Sequence, residues 1–94
     1  MDIIWGNVIE IFSPQLLHLQ VTHQKDGNQE NYSDNEKINM KSVDIFTIPD
    51  NPSERNIETV KQYLDGRFVK CEVQGKDENG NIIAVVSHSG QGGY

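Results

Sequence analysis

The chain has 94 residues, enough for one hydrophobic core and too few for two, so a single domain is expected. Hydrophobic residues make up 35% and charged residues 23%, a balance that excludes a fibrous or wholly disordered chain. The formal net charge of −6, with only 8 Lys and Arg, argues against nucleic acid as a partner, because such binding draws most of its affinity from neutralising phosphates.

The first predicted strand runs over Ile3 to Phe12, rich in β-formers and closed by Ser13-Pro14, with a bulge or bend expected near Gly6. From Leu17 to His23 apolar and polar residues alternate, which places Leu17, Leu19 and Val21 on one buried face of a second strand. The stretch from Gln24 to Glu36 is polar and acidic, with Tyr32 as its only large apolar body, and is expected to be a long mobile loop, either functional or disordered. A third strand over Lys37 to Val43 turns Ile38 and Met40 to one face.

Asn51-Pro52-Ser53-Glu54 has the form of a helix start, with an N-cap side chain, a proline at the first helical position and a Glu that completes a capping box. The predicted helix therefore begins at Pro52. Ile57, Val60 and Leu64, with Tyr63 beside them, form its apolar stripe, and Gly66 ends it. Val69, Cys71 and Val73 alternate in a fourth strand, Ile82 to Val86 make a continuous apolar fifth, and Asn79-Gly80 between them signals a hairpin. Residues 1–87 are read as one domain and 88–94 as a flexible Gly-rich tail.

The order strand, strand, strand, helix, strand, strand predicts a mainly β fold, a five-stranded OB-type Greek-key barrel with one α-helix between strands three and four. Local sequence sharpens this. Gly6-Asn7-Val8 with Leu17 to Val21, Asn39 to Asp44, and Asp65 to Val73 with Lys76 to Val86 together resemble a staphylococcal-nuclease-like domain over most of the chain. The resemblance implies a site in which acidic side chains hold calcium, a glutamate activates water and two arginines stabilise charge growing on the phosphate.

On that pattern the first metal aspartate falls on Gln15, the third-strand arginine on Asn39 and the final arginine on Asn81. The second aspartate is matched by Asp44, and the glutamate falls on Thr47. In a shifted register Asp50 stands for the glutamate, Thr47 for the aspartate and Ser42 for the third-strand arginine. Both registers lack both arginines and the first metal carboxylate. Losing one electrostatic donor of this kind costs about 10²- to 10³-fold in rate, so no catalysis is expected.

Asp44 and Asp50 are the candidates for a residual metal site, and Ca²⁺ enters only under an alternative reading as an atypical metal-dependent nuclease built on Asp44, Asp50 and Asp77. His18, His23 and His88 are read as surface residues. Asp77-Glu78-Asn79-Gly80-Asn81 is read as a turn, since no closing glutamate follows at calcium-loop spacing. Cys71 is alone and is expected to be an inert core thiol.

The expected function is a non-catalytic binding module with a protein partner and no cofactor. Its candidate binding residues are Tyr32 and Phe46 as exposed aromatic platforms and Asp26, Glu30, Asp34 and Glu36 as an acidic loop face. Trp5, Phe12, Tyr63 and Phe68 are assigned to the core. Recognition of single-stranded nucleic acid is a second alternative, and no small-molecule substrate is evident. No apolar run reaches the roughly 20 residues that span a bilayer, and the opening Met1-Asp2-Ile3-Ile4-Trp5-Gly6 has no secretion-signal pattern, so no membrane partner and a cytoplasmic location are expected.

Overall fold

A computed structural model describes residues 1–88. Strands β1 (Ile3–Ile11), β2 (Leu16–Gln24), β3 (Asn35–Asp44), β4 (Phe68–Lys76) and β5 (Ile82–His88) close into a barrel in the order β1-β2-β3-β5-β4. Every neighbouring pair is antiparallel except β3 with β5. This is the OB-type arrangement expected from the element order. Closure follows from the period-two pattern: Ile4, Val8, Leu17, Leu19, Ile38, Met40, Val69, Cys71, Ile82, Ala84 and Val86 all turn inward into one core.

The bend near Gly6 is real. β1 shifts register against β2 between Trp5 and Gly6, and a Cβ at Gly6 would lie 2.0 Å from the Gln20 carbonyl oxygen. Only glycine allows the two backbones to approach this closely. Cys71 is buried, and burial pushes its thiol pKa up to about 12, as expected of an inert core thiol.

The helix differs from its sequence reading. Pro52–Glu54 form a single 3-10 turn capped by Asn51, and the α-helix, α1, covers Ile57–Leu64 with Asn56 as its own N-cap. The Glu54 carboxylate lies 3.4 Å from the Asn51 side-chain amide instead of closing a capping box on the backbone. The cause of the break is Arg55, whose extended backbone (φ −86°, ψ 141°) turns its guanidinium inward. Val60 and Leu64 of α1 are fully buried, and Ile57 and Tyr63 pack against the core beside them.

The stretch 24–36 is tied down, contrary to its composition. Tyr32, expected to be an exposed platform, is only 8% exposed and joins the core. Its hydroxyl donates to Asp2 at 2.6 Å, and the backbone N–H groups of Gln29 and Glu30 donate to the same carboxylate at 2.8 and 3.2 Å. Asn28 exchanges two hydrogen bonds with the Ile3 backbone, and the Gln24 side chain brackets Tyr32 through its carbonyl and N–H. A polar segment whose one large apolar side chain is Tyr32 is thus ordered by hydrogen bonds to Asp2, Ile3 and Gln24. Glu36 belongs to β3, where it accepts from the Ser33 N–H.

Three of the aromatic assignments also change. Phe12 is 41% exposed, with the Lys37 ammonium 5.4 Å above its ring. Trp5 and Phe68 alternate with the inward-facing Ile4 and Val69 and are half-buried on the outer face of the barrel. His88, assigned to the tail, pairs with Val69 as the last residue of β5; the remainder of the tail lies outside the described residues. Among the described residues no helix is long and apolar enough to cross a membrane.

Candidate functional site

Three of the five positions drawn out by the resemblance meet at one end of the barrel. Gln15, in the β1–β2 turn, donates through Nε2 to Asn39 Oδ1 at 2.7 Å. Asn39, on β3, donates through Nδ2 to Asp77 Oδ2 at 3.1 Å, and Asn81 Nδ2 donates to the same oxygen at 3.1 Å. The other oxygen, Asp77 Oδ1, accepts from the backbone N–H groups of Asn79 and Asn81, both at 2.9 Å. The turn that places Asp77 closes with Gly80 N donating to Asp77 O, and Gly80 takes φ +81°, which glycine adopts without strain.

The network is chemically quiet. A carboxylate offers about four acceptor positions, and the four donors to Asp77 occupy them. The Asn39 side chain first, together with the Asn81 and Asn79 donors, holds the Asp77 carboxyl below the usual carboxylate value. In the sequence Asp77 reads chiefly as a turn residue. Its Asp-Glu-Asn-Gly-Asn context is the available signal, since Asp side chains bond to the backbone two residues on.

Asp44 and Thr47 are not part of this group. Asp44 pairs with Ser87 at the far end of β3, while Asn39 pairs with Ile83. Five residues along a strand separate Asn39 from Asp44 by roughly 16 Å. Asp50 lies near Asp44, where its Oδ1 accepts from the Ser42 hydroxyl at 2.6 Å and the Val43 N–H at 2.9 Å. Those two bonds, that of Ser42 the stronger, lower the Asp50 carboxyl pKa.

The only buried charged side chain among the described residues is Arg55, 6% exposed, which carried no signal in the sequence. It donates to four backbone carbonyls: Pro49 at 2.8 Å, Pro14 at 3.1 Å, Met40 at 2.8 Å and Asp50 at 2.7 Å. Desolvation lowers its pKa, against the attraction of Asp50. Four of the five guanidinium N–H donors are spent in joining the β1–β2 turn, β3 and the 49–50 loop.

In the segment that follows β3, Phe46 is 104% exposed, between Ile45 and Ile48, which are both buried. The Ile48 N–H donates to Ile45 O at 3.1 Å, so a short turn with two buried anchors holds the ring out in solvent. Of the acidic loop residues, Asp26, Glu30 and Asp34 are exposed, with Glu30 3.8 Å from Lys76.

The histidines do not converge. His18 meets Asn35 at 2.9 Å, and His23 Nδ1 meets Thr22 at 2.9 Å. Among the described residues no three His, Cys, Asp or Glu side chains are grouped to hold a metal ion. Comparison with protein-family models, with curated proteins and with solved structures finds no match to this chain.

Proposed function

We propose that this chain is a staphylococcal-nuclease-like OB-fold domain without catalysis, serving as a module that binds a protein partner through the loop carrying Phe46. The observation that carries the reading is the Gln15–Asn39–Asp77–Asn81 network. Positions that would need a metal carboxylate and two guanidinium groups hold neutral amides, spent on one another and on a saturated carboxylate. No cofactor enters this reading. Calcium belongs to the alternative one, in which Asp44 and Asp50 serve an atypical nuclease, and single-strand binding is set against a net charge of −6.

Among the described residues every strand has a neighbour on both sides in the closed barrel, so capture falls to side chains on loops. Phe46 is suited to that work, because an aromatic side chain buried in a partner's pocket contributes much of an interface's affinity. Asp44, Asp50 and Glu54 surround it in sequence, and the arginine among them, Arg55, is buried. The fitting partner is a protein with an apolar pocket rimmed by Lys or Arg.

Two measurements test this. Single-stranded DNA and RNA are incubated with calcium, magnesium or chelator, for wild type and Asp44→Ala; no cleavage is expected, and cleavage lost in the variant overturns the non-catalytic reading. Affinity capture then compares wild type, Phe46→Ser and Phe12→Ser. A protein held by wild type and Phe12→Ser but lost by Phe46→Ser is expected, and equal capture by all three excludes the Phe46 loop as the docking surface.

A further inference from the structure

Asparagine followed by glycine is the pairing most open to intramolecular attack on a side-chain amide, because glycine sets no Cβ beside its own backbone nitrogen. The chain has one such pair, Asn79-Gly80, and two of the Asp-Gly type, Asp26-Gly27 and Asp65-Gly66. A carboxylate is a much poorer electrophile than a neutral amide, which sets the aspartates aside. Gly66 is also held, its N–H donating to the Val8 carbonyl at 2.9 Å. Asn79 is exposed at the tip of the β4–β5 hairpin, with Glu78 and Gly80 exposed on either side. Its backbone N–H donates to Asp77 Oδ1 at 2.9 Å, while its side-chain amide has no partner among the described residues.

The turn holds the nucleophile back. Gly80 N–H donates to the Asp77 carbonyl at 3.0 Å, so its proton faces into the turn and away from solvent base. Asp77 Oδ1 accepts from the N–H groups of Asn79 and Asn81, and the Asp77 N–H donates to Asn81 O at 2.9 Å. These bonds fix the backbone on both sides of the Asn79–Gly80 peptide, and the Asp77 carboxylate is itself tied to Asn39 of β3. Attack needs the Gly80 N–H released and the peptide turned until its nitrogen meets Asn79 Cγ. That is a local opening of the hairpin tip.

We infer that Asn79 is a self-modification site that deamidates through a cyclic imide with Gly80, at a rate set by the Asp77 turn. The Gly80 nitrogen bonds to Asn79 Cγ, the Cγ–Nδ2 bond breaks, and Nδ2 leaves as ammonia with the proton that Gly80 gives up. Water then opens the imide at either carbonyl. One product is aspartate; the other is isoaspartate, whose main chain runs through Cβ and Cγ and is one carbon longer. Either sets a new carboxylate beside that of Asp77, and the longer chain cannot present the Gly80 and Asn81 N–H groups to Asp77 in the present register. Asp77 is then released, and with it the Asn39 and Asn81 amides that donate to it. Deamidation thus unlatches β3 from the β4–β5 turn. The inference rests on the hairpin tip alone and is separate from partner binding by the Phe46 loop.

The full chain is incubated at mildly alkaline pH, both folded and in guanidinium chloride. Asn79 is followed by peptide mapping with mass spectrometry and by ion exchange, since each conversion adds one negative charge to the net −6. Conversion at Asn79 is expected in both states, with isoaspartate predominating. It should be about tenfold slower in the folded chain, the protection expected of two turn hydrogen bonds. Asn79→Gln, which would need a six-membered ring, should stay unconverted. Asp77→Ala, checked as folded by circular dichroism, should react at close to the unfolded rate. Asn39→Ala, which loosens Asp77 and leaves the turn in place, should react at an intermediate rate, and it decides the matter if Asp77→Ala does not fold. The converted protein, separated by ion exchange, should melt several degrees below the unconverted.

An Asn79 that stays unchanged in guanidinium chloride overturns the inference, and so do equal rates in the folded and unfolded chain. So does either folded variant, Asp77→Ala or Asn39→Ala, that reacts as slowly as wild type, or a converted protein with the Tm of the unconverted.

Discussion

Asn39 and Asp77 stand 38 residues apart in sequence, and a 3.1 Å hydrogen bond from Asn39 Nδ2 to Asp77 Oδ2 joins β3 to the β4–β5 turn. With Gln15 behind Asn39, this contact links three loops and strands at one barrel end. Asp77→Ala should lower Tm by several degrees, since it removes the acceptor of two amide side chains and two turn N–H groups. Asn39→Asp should be worse than Asn39→Ala, because it sets two carboxylates against each other. Thermal unfolding followed by circular dichroism checks both orders.

Arg55 is expected to be the most sensitive charged position. Truncation to Ala removes the donor from the buried Met40 carbonyl and from three partly buried ones, at about 1–3 kcal/mol for each buried group left unsatisfied. A total loss of about 3 kcal/mol or more is predicted by denaturant titration. Arg55→Lys should recover only part of it, because a single ammonium cannot span four carbonyls spread over the Pro14, Met40 and Pro49–Asp50 backbone.

Gly6→Ala should be among the most damaging changes of a single methyl group. The added carbon would lie 2.0 Å from the Gln20 carbonyl oxygen, backbone that cannot move without opening the β1–β2 ladder. A loss of about 3 kcal/mol or more is predicted, with Gly27→Ala, in open space, as the contrasting variant strained only by its φ of +87°.

Acid should unfold the domain through three named carboxylates. Asp2, bonded first by Tyr32, Asp50, bonded first by Ser42, and Asp77, bonded first by Asn39, all have folded pKa values below the ordinary 3.8. A carboxylate held low by folding adds stability above its unfolded pKa, and that stability is lost as pH falls through the folded value. Tm should therefore be level above about pH 5 and fall below about pH 4. Changing all three to Asn should flatten this acid limb while lowering Tm at neutral pH.

Cys71 should resist alkylation in the folded protein at neutral pH and react fully in denaturant, given a thiol pKa near 12 and complete burial. Modification at a rate equal to that of a free thiol would contradict the packing of β4 described here.

The barrel is legible in the apolar alternation of its strands. Leu17, Leu19 and Val21, Ile38 and Met40, and Val69 and Cys71 alternate with polar residues, and a period of two admits only one face for burial. The sequence also marks Gly6, the Asn79-Gly80 hairpin and the apolar stripe of α1, because turn chemistry and helical spacing are local properties. Other features depend on neighbours distant in the chain. Tyr32 is buried because Asp2, 30 residues away, accepts its hydroxyl. The helix starts late because Arg55 must reach carbonyls of Pro14 and Met40, 41 and 15 residues away. Trp5 and Phe68 line a groove because the strands place them on the outside of a closed surface, whereas Asn39 lies in the middle of β3 and Asp44 at its end. Polar satisfaction and barrel closure are long-range constraints, and no local pattern of apolar residues records them.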